Sequence, residues 1–87
     1  MKIDVLEREK GKLKIEIHDN LTLVNLLNEN LWKQKIKYAA YSVDHPYLSK
    51  PVLTVSSTNP KKAVLDAAEQ IINDVKELRK KVQHISK

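Results

Sequence analysis

From residue 64 onward apolar side chains recur at alternating steps of four and three: Val64, Ala68, Ile71, Val75, Leu78, Val82 and Ile85. That spacing draws one apolar stripe along a helix, and it predicts a helix from Pro60 to Ile85. Asn59 or Thr58 can cap its first free N–H groups, Pro60 suits the first helical position, and no further Pro or Gly interrupts it. Ala63, Leu65, Ala67 and Ile72 widen the apolar face in the first three turns, whereas beyond Val75 only Leu78, Val82 and Ile85 continue it. The first half therefore reads as core and the second as a narrow seam. Such a helix is roughly 39 Å long, against roughly 20 Å for a six-residue strand, so it overhangs any sheet it lies on. A regular seam beyond the sheet implies a protein partner; a frayed end, or a curved sheet that follows the helix, is the alternative.

Earlier in the chain the period changes to two. Ile3 and Val5 alternate with polar residues, Lys10-Gly11 breaks the run, and Leu13, Ile15 and Ile17 resume it, which predicts a hairpin. Gly11 is the only glycine and stands where a tight turn needs positive φ. Lys12, Lys14, Glu16 and His18 fall on the solvated face, with His18 an exposed strand-end residue. Asp19 to Thr22 then offer caps for a helix carrying Leu23, Val24, Leu26, Leu27, Leu31 and Trp32. These positions cover roughly 240° of its circumference, more than one sheet face buries; the excess serves a partner, or Leu26 and Trp32 lie under the second helix. Ile36 to Asp44 reads as a third strand and Val52 to Ser56 as a fourth, with two prolines in the connection from His45 to Pro51. The order strand, strand, helix, strand, strand, helix packs most economically as a two-layer α+β domain. Its four-stranded, mainly antiparallel sheet carries both helices on one face and ends in the long C-terminal helix.

Length and composition narrow the function. Eighty-seven residues make one domain, 1–87, too small for a deep enclosed pocket beside its core. Cysteine is absent, which removes disulfides, thiolate metal sites and a cysteine nucleophile and fits a cytoplasmic protein. No apolar run approaches the roughly 20 residues of a membrane span, and the amino terminus lacks a signal peptide's apolar centre. The net charge of +5 is spread along the chain, with Arg79-Lys80-Lys81 the densest basic run. A solvated helix face explains that run, and phosphate contact is the competing reading.

No chemistry-bearing constellation stands out. His18, His45 and His84 lie on three different elements, and Asp44 and His45, being neighbours on an extended strand, point to opposite faces. One glycine cannot make a phosphate-cradling loop, and four aromatic side chains without a recognition motif do not make an RNA platform. No catalytic residue, cofactor or metal is expected.

Two segments carry a resemblance. Tyr38-Ala39-Ala40-Tyr41 followed by His45-Pro46-Tyr47-Leu48-Ser49-Lys50-Pro51, and the helix start Thr22-Leu23-Val24-Asn25-Leu26-Leu27, resemble the subunit L family of archaeal DNA-directed RNA polymerase. The likeness runs over nearly the whole chain. Leu21 stands where that family usually has His, and Tyr47 where it usually has an aliphatic residue. The resemblance implies the dimerisation-domain fold of the bacterial polymerase alpha subunit. It also implies a non-catalytic assembly subunit that forms an obligate heterodimer with the alpha-like, D-type polymerase subunit. That pair scaffolds the large catalytic subunits, without direct nucleic-acid or membrane contact by this chain. The expected interface is Leu23, Leu27 and Leu31 on the first helix with Ile71, Val75, Leu78, Val82 and Ile85 on the second. His45, Pro46, Tyr47 and Leu48 form either a preformed contact loop or a stiff connection. The competing function is a free-standing homodimeric or nucleic-acid-binding α+β module that uses Arg79, Lys80 and Lys81.

Overall fold

The computed structural model describes residues 2–43 and 50–85. Its elements are β1 (Lys2–Glu9), β2 (Lys12–His18), α1 (Leu21–Trp32), β3 (Tyr38–Ser42), β4 (Val52–Ser56) and α2 (Pro60–Gln83), in the order the hydrophobic pattern predicts. The proposed contact residues His45, Pro46, Tyr47 and Leu48 lie outside the described residues.

The strands form one sheet in the order β1-β2-β4-β3, with every neighbouring pair antiparallel. Period-two alternation sends Leu13, Ile15 and Ile17 of β2, Leu53 and Val55 of β4 and Ala39 of β3 to one face. Val24, Leu27 and Leu31 of α1 and Ala63 and Ala67 of α2 close over that face and complete the core. Ile17, Val24, Leu31, Leu53 and Val55 are its fully buried large side chains, each worth about 1.5–3 kcal/mol relative to exposure. Alanines mark the part of α2 that packs closest, because they let its backbone approach α1.

Local chemistry fixes the ends of these elements. The Asn20 side chain accepts from the Leu23 N–H at 2.9 Å, and that of Asn59 from the Lys62 N–H at 3.2 Å, capping the two helices. Gly11 turns the first hairpin at φ +92°, and its carbonyl accepts from the Ser57 N–H at 2.9 Å. The hairpin tip is thereby tied to the segment that leads into α2.

Two boundaries differ from the sequence expectation, and a third is narrowed to one of the residues offered. Among the described residues the third strand runs only Tyr38–Ser42: the Ile36 N–H is taken by the Gln34 carbonyl at 3.0 Å, the pairing to β4 runs to Ser42, and Asp44 lies outside the described residues. The first helix starts at Leu21, with Asn20 as its cap, one of the residues from Asp19 to Thr22 that the sequence offers. The second helix stops at Gln83, where the Ile85 N–H folds back to the Val82 carbonyl at 3.1 Å. Ile85 therefore lies beyond the helix rather than on its seam.

Candidate functional site

The sheet is wider than the layer that covers it. Ile3 and Val5 of β1 stand opposite Ile17 and Ile15 of β2 on the helix-bearing face, yet both are exposed because α2 passes over β2 and β4 instead. On α2 the side nearest β1 carries Leu65 and Ile72, which are exposed as well. An apolar groove results, walled by Ile3 and Val5 on one side and Val64 and Leu65 on the other, with Leu13 and Ile15 at its base. Arg8 and Lys61 stand at its rim. The hydrophobic pattern assigns Leu65 and Ile72 to the core; the angle at which α2 crosses the sheet turns them toward β1 instead.

This groove continues into the C-terminal half of α2. Val64, Ala68 and Ile71 are half-buried against the core, and then Val75 (57 %), Leu78 (60 %) and Val82 (55 %) are exposed on the same stripe. At about 1.5 Å per residue the helix is roughly 36 Å long, whereas five-residue β4 spans roughly 17 Å, so the helix outruns its sheet. Monomeric proteins seldom expose so much contiguous aliphatic surface without a use for it.

The first helix contributes differently than expected. Leu27 and Leu31 belong to the chain's own core, and Leu23 is partly buried against it. Its exposed apolar residues are Leu21, Leu26 and Trp32, with Tyr38 of β3 nearby. Trp32 is held in place: its Nε1–H donates to the Ala39 carbonyl at 2.8 Å, and its ring meets that of Tyr38 edge-on at 6.3 Å. Gln34 Nε2 donates to the Ala63 carbonyl at 2.8 Å and joins the end of α1 to α2.

On the sheet's open face, Asp4, Glu16 and His18 bring their donor atoms within 4.8 Å of one another. Spacing along the chain does not reveal this group, because the pairing of β1 with β2 assembles it from two elements. His18 is not a free strand-end residue: its Nε2 lies 2.9 Å from Asp4 Oδ2 and 3.0 Å from Glu16 Oε1. Asp4 faces Glu16 directly across the ladder, a like-charge placement that destabilises a strand pair unless a donor stands between the carboxylates. His18 supplies that donor, so the group acts as a polar clamp between the edge strand and its neighbour. Such a trio could offer a cation three ligands, but the hydrogen bond between His18 and Asp4 and the close approach of Glu16 to the same nitrogen already account for its geometry.

Charges on α2 are mostly exposed. Lys62 Nζ donates to Asp66 Oδ2 at 2.7 Å, and this hydrogen bond, with the carboxylate's charge, raises the ammonium above its ordinary value. Lys81 pairs with Glu77 at 3.2 Å. The structure thus separates Lys81 from Arg79 and Lys80, its neighbours in the basic run.

Comparison with known proteins agrees with this architecture. Residues 12–81 match the family described as the RNA polymerase Rpb3/Rpb11 dimerisation domain. The chain is similar to DNA-directed RNA polymerase subunit Rpo11 of Methanothermobacter thermautotrophicus, with 37% identity covering 95% of this chain and 100% of that one. It is also similar to subunit Rpo11 of Thermococcus sibiricus, with 35% identity and 90% of both chains covered. Among solved structures it superposes on DNA-directed RNA polymerase subunit L of Thermoplasma acidophilum with a TM-score of 0.83 and 24% identity, over 94% of this chain and 85% of that one.

Proposed function

This chain belongs to the RNA polymerase Rpb3/Rpb11 dimerisation-domain family, and from that premise we propose that it is a non-catalytic assembly subunit of a cytoplasmic DNA-directed RNA polymerase. Its role is to pair, as one dimerisation domain, with the alpha-like, D-type polymerase subunit and so to present a platform for the large catalytic subunits. The observation that carries this reading is the apolar surface running from Ile3 and Val5 across Leu65 and Ile72 to Val75, Leu78 and Val82. Those side chains add nothing to the core of the chain by itself, and burying about 800 Å² on each partner is enough for a stable interface.

The interface expected on α2 keeps Ile71, Val75, Leu78 and Val82. On this reading Ile85 is peripheral, and the α1 residues Leu27 and Leu31 support the surface from beneath instead of touching the partner. Leu23 stands between the two roles. Strand β1 takes their place at the contact.

Co-expression with the alpha-like subunit tests the proposal. The two chains should copurify in equal amounts, and Val75→Asp or Leu78→Asp should abolish recovery while leaving helix content unchanged. Isolation of the unaltered chain as a discrete monomer in the presence of that partner would sink the reading.

A further inference from the structure

Resting on the partner surface just proposed, we infer that its occupant is acidic along the side that meets β1 and the exposed flank of α2, so that charge, and not apolar area alone, selects the partner over a second copy of this chain. The charges on α2 are sorted. Taking about 100° per residue, Lys61, Lys76 and Arg79 run along the same flank as Leu65 and Ile72, with Lys80 beside them. Glu69 falls within this flank, between Lys76 and Lys80, and its charge also acts on Lys62, so the flank is basic on balance. Asp66 and Asp74 fall on the opposite flank, where they line a recess with Asn30, Lys33 and Gln34 of α1, and Glu77 follows them. The apolar stripe thus has a predominantly basic rim on the side of β1 and a predominantly acidic one on the side of α1, where Lys81 is paired to Glu77.

Strand β1 extends the basic rim. Arg8 lines the apolar groove together with Lys61, Ile3, Val5 and Leu65, and the same two cations line a recess around the hairpin with Lys10, Lys12 and a single carboxylate, Glu9. Among the described residues, Arg8, Lys61, Lys76, Arg79 and Lys80 have no carboxylate within 4.0 Å, whereas Lys12, Lys62 and Lys81 are paired to Glu7, Asp66 and Glu77. Among the described residues, the cations that border the exposed apolar surface therefore form no ion pair within this chain.

An interface of this build has an apolar centre and a charged rim, and the rim sets orientation and rejects wrong partners. A second copy meeting this one antiparallel across a two-fold axis would lay like flank on like flank, cation against cation. A partner with carboxylates along its facing edge instead closes each unpaired cation while its apolar side chains fill the groove.

The copurified complex with the alpha-like subunit provides the test, read as the dissociation constant in a dilution series at about 50 and about 500 mM salt, where the screening length falls from roughly 14 Å to roughly 4 Å. The unaltered complex should weaken about tenfold at the higher salt, and Lys76→Glu/Arg79→Glu should be about tenfold weaker at low salt and nearly insensitive to it. Lys35→Glu/Lys37→Glu, on the exposed connection between α1 and β3, makes the same change in net charge away from both rims and should behave as the unaltered chain. If the Lys76/Arg79 variant binds as tightly as the unaltered chain, or both variants weaken alike, the inference is overturned while the partnership itself stands. If the unaltered chain fails to bind the alpha-like partner, or prefers to self-associate, the proposed function falls and this inference with it.

Discussion

Val5 and Ile15 are cross-strand partners on the same face of the sheet, yet Ile15 is 5 % exposed and Val5 58 %. The difference lies in what crosses above them. Helix α2 covers β2 and β4 but leaves β1 uncovered, so an aliphatic residue that would be core one strand further in becomes half of a groove.

If that groove receives the partner, a carboxylate placed in it should be felt by the complex and not by the fold. Val5→Asp and Leu65→Asp are each expected to abolish copurification with the alpha-like subunit, with stability changes within about 0.5 kcal/mol because both sites are exposed. Leu21→Asp, on the other apolar surface, should leave copurification intact. Recovery that fails with Leu21→Asp and survives Val5→Asp would relocate the interface to α1.

Leu31 is an opposite case. It is fully buried between α1 and the sheet, so Leu31→Ala should cost about 2–5 kcal/mol of stability through lost burial and the cavity left behind. Urea unfolding measures this directly. A loss under about 1 kcal/mol would show that the site collapses around the smaller side chain and is not close-packed.

Gly11 occupies the left-handed region, and a Cβ there would lie 3.3 Å from the Ser57 carbonyl oxygen, on the residue whose N–H is tied to the same turn. Gly11→Ala should therefore destabilise by about 1–3 kcal/mol through backbone strain. Gly11→Asn, which tolerates positive φ better, should lose less. Thermal unfolding of the two variants side by side orders them; equal losses would assign the cost to crowding against Ser57 instead of to φ.

Trp32 joins the end of α1 to β3 through one hydrogen bond and one aromatic contact. Trp32→Phe keeps an aromatic ring against Tyr38 but leaves the Ala39 carbonyl without its donor, an expected loss of about 0.5–1.5 kcal/mol. A chemical-denaturation midpoint that does not move would mean that water replaces the indole N–H at that carbonyl.

Much of the fold is legible along the chain. Alternation of Leu13, Ile15 and Ile17 marks both the second strand and its buried face, and the four-three spacing from Val64 to Val82 marks the long helix and its exposed seam. The caps are legible too, since Asn59 followed by Pro60 has a local chemical meaning. On α1 the pattern misleads, because Leu23, Leu26, Leu27, Leu31 and Trp32 are alike in hydrophobicity and a helical projection cannot say which arc faces the sheet. The structure puts Leu27 and Leu31 inward and Leu26 and Trp32 outward.

What the sequence determined by itself was local and periodic: element type, order, turn and cap positions, and the resemblance carried by two short motifs. Tertiary structure decided which apolar residues the core leaves over, because that depends on where a helix crosses a sheet and on strand order, which put β1 at an edge beyond the cover of α2. It also assembled Asp4, Glu16 and His18 across a strand pair. Interactions within one element repeat with its period and can be read along the chain, whereas contacts between elements follow from packing geometry that no single segment encodes.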